Sequence, residues 1–271
     1  MYLIFDTETT GLPKRWKAPI TDTDNWPRCI QIAWQLHDDM GRCLEHQDFL
    51  IRPEGFNIPY DAEKIHGIST ELASEQGIDL ADVLELFNIA LSKTNFVVGQ
   101  NVGFDLNIMG CEFHRLEVVS CLNQLPILDT CTEKTASMCQ IPGGRGGKFK
   151  LPTLTELHQF LFNKPFGDAH NATADVEATT RCFLELIRRQ EFSIDQLQAP
   201  NDYYQQFQSV NQNAISPAGL KHTNLKEQSA KIATRIQQEK ELLTPQNTST
   251  EIPQVLNDVD VVQLHNHSQF S

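Results

Sequence analysis

The stretch Tyr2-Leu3-Ile4-Phe5-Asp6-Thr7-Glu8-Thr9-Thr10-Gly11-Leu12 constrains this chain more than any other. Four consecutive apolar residues predict a strand covered on both faces, hence an interior strand of a sheet. Residues two apart on a strand share a side, so Asp6 and Glu8 point the same way, with backbones roughly 7 Å apart. Like charges held that close at the end of a buried strand repel unless a cation lies between them. D-x-E alone equally describes a strand that ends in a solvated acidic turn, and the rest of the chain must decide.

The chain carries 22 Lys plus Arg against 35 Asp plus Glu, a formal charge of −13. As a whole it repels phosphate, so contact with nucleic acid should be local and assisted by bound metal. Its seven cysteines include no C-x-x-C pair, and their odd number leaves at least one unpaired. Reduced thiols in the cytoplasm are the simplest reading. No run approaches a membrane span, and no basic segment followed by an apolar one opens the chain.

Residues 13 to 27 form a long irregular stretch with Trp16, Trp26 and the cations Lys14, Arg15 and Lys17. Either tryptophan could stack on nucleic-acid bases or pack the loop onto the domain. Alternation from Arg28, the turn Asp38-Asp39-Met40-Gly41 and a returning strand over Cys43 to Ile51 predict a hairpin beside the first strand, and so a mixed sheet. A short helix stops at Gly67 just after His66, and Ser69 or Thr70 caps the next. Leu80, Val83, Leu84, Phe87 and Leu91 follow helical spacing.

Asn95 to Gly99 predicts a short buried strand, and the turn after it opens a helix over Phe104, Ile108 and Met109. Asp105 then lies in a first helical turn at the carboxyl end of a strand, where open α/β sheets place ligands, although a helix-capping acid would sit there too. Residues 126 to 130 form another short strand. The Gly-rich loop 143 to 150 carries three cations but lacks the Lys-Ser or Lys-Thr ending of a nucleotide-binding loop. Further on, Asn171 or Thr173 can cap a helix whose stripe is Val176, Thr179, Thr180, Phe183 and Ile187, with Asp175 in its first turns and His170 in the preceding loop.

Four carboxylates, Asp6, Glu8, Asp105 and Asp175, thus come from three elements of one α/β sheet, with a histidine beside the fourth. Oxygen donors in this number suit Mg²⁺ or Mn²⁺ rather than zinc. Two such ions could clamp the attacking and leaving oxygens of a phosphoryl displacement. A histidine near its ordinary pKa of about 6.5 can take a proton from water.

The motifs D-T-E-T-T-G-L, N-x-G-F-D and H-N-A-T-A-D, in this order, resemble the DnaQ-like, or DEDDh, family of 3′-to-5′ exonucleases over about residues 1 to 190. The resemblance implies a ribonuclease-H-like α/β fold, a five-stranded mixed sheet flanked by helices with its first three strands antiparallel. It implies two divalent cations, Mg²⁺ or Mn²⁺. Asp6 would be shared by both, Glu8 and Asp175 would join it at the nucleophile-side ion, and Asp105 would hold the second. His170 would be the general base. The main chain of Thr9, Thr10, Gly11 and Leu12, with His66, Asn101 and Phe104, would grip the terminal nucleotide. The insertion 13 to 27 and the Gly-rich loop depart from smaller members.

From Glu191 onward, 20 of 81 residues are Gln or Asn, poor material for a second core. Residues 191 to 260 therefore read as a polar linker, largely irregular, with one possible helix over 221 to 243 that is either a docking element or freely solvated. The ending Val262-Gln263-Leu264-His265-Asn266-His267-Ser268-Gln269-Phe270-Ser271 resembles the opening of the polymerase-and-histidinol-phosphatase domain of bacterial DNA polymerase III alpha subunits. Residues 261 to 271 would be its truncated start, and the exonuclease would proofread at single-stranded or mismatched DNA 3′ ends for a polymerase on the same chain. An exonuclease of RNA or oligonucleotide 3′ ends and a non-catalytic replisome module that binds strand ends are the alternatives.

Overall fold

A computed structural model describes residues 1–167, 171–220 and 224–243, with side chains to residue 238. Five strands, β1 (Tyr2–Thr9), β2 (Cys29–His37), β3 (Cys43–Leu50), β4 (Phe96–Gly99) and β5 (Ile127–Asp129), form one sheet in the order β3-β2-β1-β4-β5. β1 pairs antiparallel with β2 and parallel with β4, so the expected mixed sheet has β1 at its centre. Between β3 and β4 lie α1 (Tyr60–His66), α2 (Thr70–Gln76) and α3 (Leu80–Ser92). α4 (Gly103–Arg115) joins β4 to β5, and α5 (Glu133–Cys139), α6 (Leu154–Phe162) and α7 (Ala172–Arg188) follow. α8 (Ile194–Leu197), α9 (Tyr203–Val210) and α10 (Leu225–Leu243) complete the described chain.

The period of two along β1 divides the core. Leu3 and Phe5 enter a cluster with Ile32, Trp34, Val83, Phe87, Ile108 and Met109, the face covered by α3 and α4. Tyr2 and Ile4 enter the opposite cluster with Val98, Leu157, Val176, Phe183 and Ile187, the face covered by α6 and α7. Asp6 and Glu8 continue the second series, so they emerge at the carboxyl end of β1 on the α7 side. Thr7 emerges toward α4.

The helix stops follow local chemistry. Gly67 ends α1 at φ 80°, a conformation that favours glycine. The Ser69 side chain accepts from Leu72 N to cap α2. The compact unit runs through Thr234, past the expected boundary at Gln190. Leu197, Tyr203 and Phe207 are buried in the second cluster, so residues 194 to 210 dock as two short helices rather than forming a linker. Three well-spaced apolar anchors suffice where average composition pointed to a polar linker. In α10, Leu225 and Ile232 are buried, and Ser229 Oγ donates to Gly67 O at 2.7 Å and accepts from Ser69 N at 3.1 Å, so the helix docks through its first turns. Residues 261 to 271 lie outside the described residues.

The 13 to 27 insertion is pinned at one buried carboxylate. Glu112 of α4 is 0% exposed and accepts from Arg28 Nε at 3.0 and 3.2 Å and from Cys29 N at 2.8 Å, and it pairs with Arg115 at 3.0 Å. Arg115 in turn donates to the carbonyls of Thr23 and Trp26. Asn25 clasps the backbone of Arg15 in both directions, and Trp26 Nε1 donates to Pro19 O. Removing one partner of a buried ion pair strands the others, so Glu112→Leu should cost about 3–5 kcal/mol in urea unfolding. A loss below about 1 kcal/mol would show that Glu112 does not hold the insertion.

Candidate active site

Asp6 and Glu8 are still paired within β1, and their side chains project beside the start of α7, which brings in Asp175. Ligand atoms of these three carboxylates all lie within 4.8 Å of one another. Two strand residues at i and i+2 thus meet one residue of a helix far along the chain. Burial, followed by the charges of Asp105, Asp175 and Glu8, pushes the Asp6 carboxyl well above its usual range. Burial and the charges of Asp175 and Asp105 push Glu8 up to about 8. Asp105 is pushed up to about 7 by burial, opposed by its hydrogen bonds from Thr7. A nest of acids that resists ionisation by itself, and offers only oxygen donors, has the chemistry of a divalent-cation site.

Asp105 stands apart from the close trio. Its Oδ1 accepts from Thr7 N at 3.0 Å and Thr7 Oγ1 at 2.6 Å, which ties α4 to β1 between the two strand acids. The turn before α4 places Asn101 at φ 57°, an uncommon conformation for a residue with a side chain. Asp129 at the end of β5 holds that turn, accepting from Asn101 N at 2.8 Å and Val102 N at 3.1 Å. Phe104 follows, half-buried, with its ring 5.8 Å from that of Trp16.

The segment after β1 is set by its own hydroxyls. Thr9 Oγ1 donates to Gly11 O at 2.7 Å, and Thr10 Oγ1 accepts from Arg28 N at 3.0 Å. Leu12 is left 72% exposed. His66 is buried at the end of α1, where its Nδ1 accepts from Ile68 N at 3.0 Å beneath the turn that Ser229 covers. His170, expected as the base, lies outside the described residues. In the Gly-rich loop, Lys148 pairs with Glu133 and Lys150 with Glu156.

Of the two expected caps of α7, Asn171 is the one used, and Asp48, which nothing in the sequence singled out, also holds the start of the helix. Asn171 caps the helix, its Oδ1 accepting from Thr173 N and Ala174 N. Thr173 Oγ1 donates to Asp48 Oδ2 at 2.6 Å, Gln31 Nε2 donates to Asp48 Oδ1 at 2.8 Å, and Gln31 Oε1 accepts from Ala172 N. Asp48 on β3 thereby fixes the turn that carries Asp175. No local signal marks Asp48 or Asp129, because both act through pairings between distant segments.

The sequence profile of the RNase_T family, described as Exonuclease, matches residues 3–183. A search of curated proteins gave no significant match. Among solved structures, E. coli exonuclease I in complex with a dT13 oligonucleotide is similar at TM-score 0.54 and 20% identity, over 69% of this chain and 40% of that one. Its complex with dA16 gives TM-score 0.54 and 21% identity over the same shares. A product-bound exonuclease I gives 0.55 and 20%, over 70% and 44%. At such identity the likeness is one of fold, and this chain spans about two fifths of the exonuclease I chains (40 to 44%).

The raised carboxyls set a pH dependence. Unfolded Asp and Glu titrate near 3.9 and 4.3, so between about 4.5 and 8 the cation-free folded state binds more protons than the unfolded state. The cation-free protein should therefore lose thermal stability as pH rises from 5 to 8, and Mn²⁺ should restore it. Asp6→Asn should flatten the pH slope and weaken the Mn²⁺ response. A melting temperature independent of both pH and Mn²⁺ over that range would contradict this electrostatic account.

Proposed function

The chain belongs to the RNase_T exonuclease family, and from that premise we propose that it is a metal-dependent 3′-to-5′ exonuclease, releasing nucleoside 5′-monophosphates from DNA. The observation that carries the proposal is the convergence of Asp6, Glu8 and Asp175 within 4.8 Å. In this reading the three would hold one divalent cation, Mg²⁺ or Mn²⁺, and Asp105 with Asp6 would hold a second. Such ions supply positive charge to a phosphoryl oxygen and lower the pKa of a bound water. The chain itself positions and excludes. Thr7 orients Asp105 through two hydrogen bonds to a single oxygen, which leaves the other oxygen for the site. Asp48 and Asn171 hold the first turn of α7 and so the direction of Asp175. His170, one residue before that cap, takes the proton of the attacking water.

The backbone from Thr9 to Leu12, with Asn101 and Phe104, forms the floor on which a terminal nucleotide rests, and His66 supports it from the end of α1. Single-stranded DNA as the substrate is supported by the complexes of exonuclease I with oligonucleotides. Proofreading for a DNA polymerase III alpha subunit on the same chain is the finer reading, and the resemblance of residues 262 to 271 supports it. Across the described residues, no helix is long and apolar enough to cross a membrane.

The test is release of mononucleotides from 3′-labelled DNA with Mg²⁺ or Mn²⁺, on single-stranded, paired and mismatched ends, with RNA alongside. Asp175→Asn should abolish metal-dependent release. His170→Ala should lower kcat by about 10²–10⁴ without weakening Mn²⁺ binding. Preference for RNA would keep the chemistry and remove the DNA role. Binding without cleavage by the intact protein would favour an end-binding module.

A further inference from the structure

The insertion contains two tryptophans with opposite fates. Trp26 is 3% exposed and anchors the loop, whereas Trp16 is 58% exposed on the same loop. Exposing so large an apolar surface is costly when burial is available, as it is for Trp26 ten residues away. Nor does Trp16 sit on a loose tip. Its neighbour Arg15 is clasped through the backbone by Asn25 and through its side chain by Asp22 at 2.6 Å. The ring is therefore held out by a built scaffold.

That scaffold carries Trp16 to the candidate active site. Its ring centroid lies 5.8 Å from that of Phe104, the residue before Asp105, at an interplanar angle of 52°. Lys14 and Lys17 flank it, both exposed and without an ion pair among the described residues, in a molecule of net charge −13. Aromatic faces with adjacent cations form the usual surface for single-stranded nucleic acid. The tilt adds selectivity. Bases lying flat on the two rings would be inclined to each other by about the ring angle, whereas neighbouring bases in a duplex stay parallel.

We propose that Trp16 and Phe104 form a two-ring stacking surface for unpaired bases at the 3′ end of a DNA strand, through which the 13 to 27 insertion selects single strands over duplex ends. The proposal rests on the exonuclease reading above for the identity of the strand. Lys14 and Lys17 contribute phosphate contacts along the same path.

The test uses the full chain. Trp16→Ala should raise KM for a single-stranded oligo-dT about tenfold and lower the preference for single-stranded over blunt duplex ends by a similar factor, and Trp16→Phe should recover most of the loss. A single abasic site scanned through the last four nucleotides should erase the difference between wild type and Trp16→Ala at one position. Oligo-dT should also quench the tryptophan fluorescence of the wild type but not of Trp16→Phe, because Trp26 and Trp34 are 3% and 0% exposed. If the wild type cleaves DNA and Trp16→Ala matches it on every substrate, the stacking surface is wrong and the exonuclease reading stands. If the wild type does not cleave yet shows the Trp16-dependent quenching, the surface stands and the exonuclease reading falls. Neither cleavage nor quenching overturns both.

Discussion

Carboxylates that repel one another are forced together at the carboxyl end of β1, and much of the architecture exists to hold them there. Asp6, Glu8 and Asp175 lie within 4.8 Å, and the charge of Asp105 reaches both strand acids. Left to itself each would seek water, and the folded chain keeps them only because burial of β1 on both faces fixes their origin. A cation held there would turn that repulsion into attraction and so link metal binding to folding at this site.

Three ties aim the acids. Thr7, between Asp6 and Glu8 on the opposite face of β1, fixes Asp105 and with it the start of α4. Asp129 fixes the left-handed turn at Asn101 that precedes α4. Asp48 reaches from β3 under Gln31 to Thr173 and sets α7. Each tie joins elements far apart in sequence, and all converge on the carboxyl ends of the parallel strands, where α/β sheets place their ligands. Glu112 does for the insertion what these do for the acids, by holding the partly exposed Arg28 and Arg115 around one buried carboxylate.

What could be read from sequence alone was what depends on local period. The run Tyr2 to Phe5, the stripe Leu80 to Leu91 and the stripe Val176 to Ile187 named the central strand and two of its covering helices, because burial repeats with the geometry of the element itself. The acids could be paired because their spacing put two of them on one side of a strand and two in first turns of helices. Illegible were the pairings with no period. Nothing local tells that Asp48 meets Thr173, that Glu112 gathers two arginines, or that of two tryptophans Trp26 is buried and Trp16 is not. Composition misled after Gln190, where an average over a polar tail hid Leu197, Tyr203 and Phe207 as anchors.

The most direct test of the central claim is anomalous diffraction from crystals soaked in Mn²⁺. Peaks bounded by Asp6, Glu8 and Asp175, with a second on the Asp105 side, are what the carboxylate geometry predicts. Ordered, unliganded carboxylates in the presence of saturating Mn²⁺, with no peak among them, would contradict it.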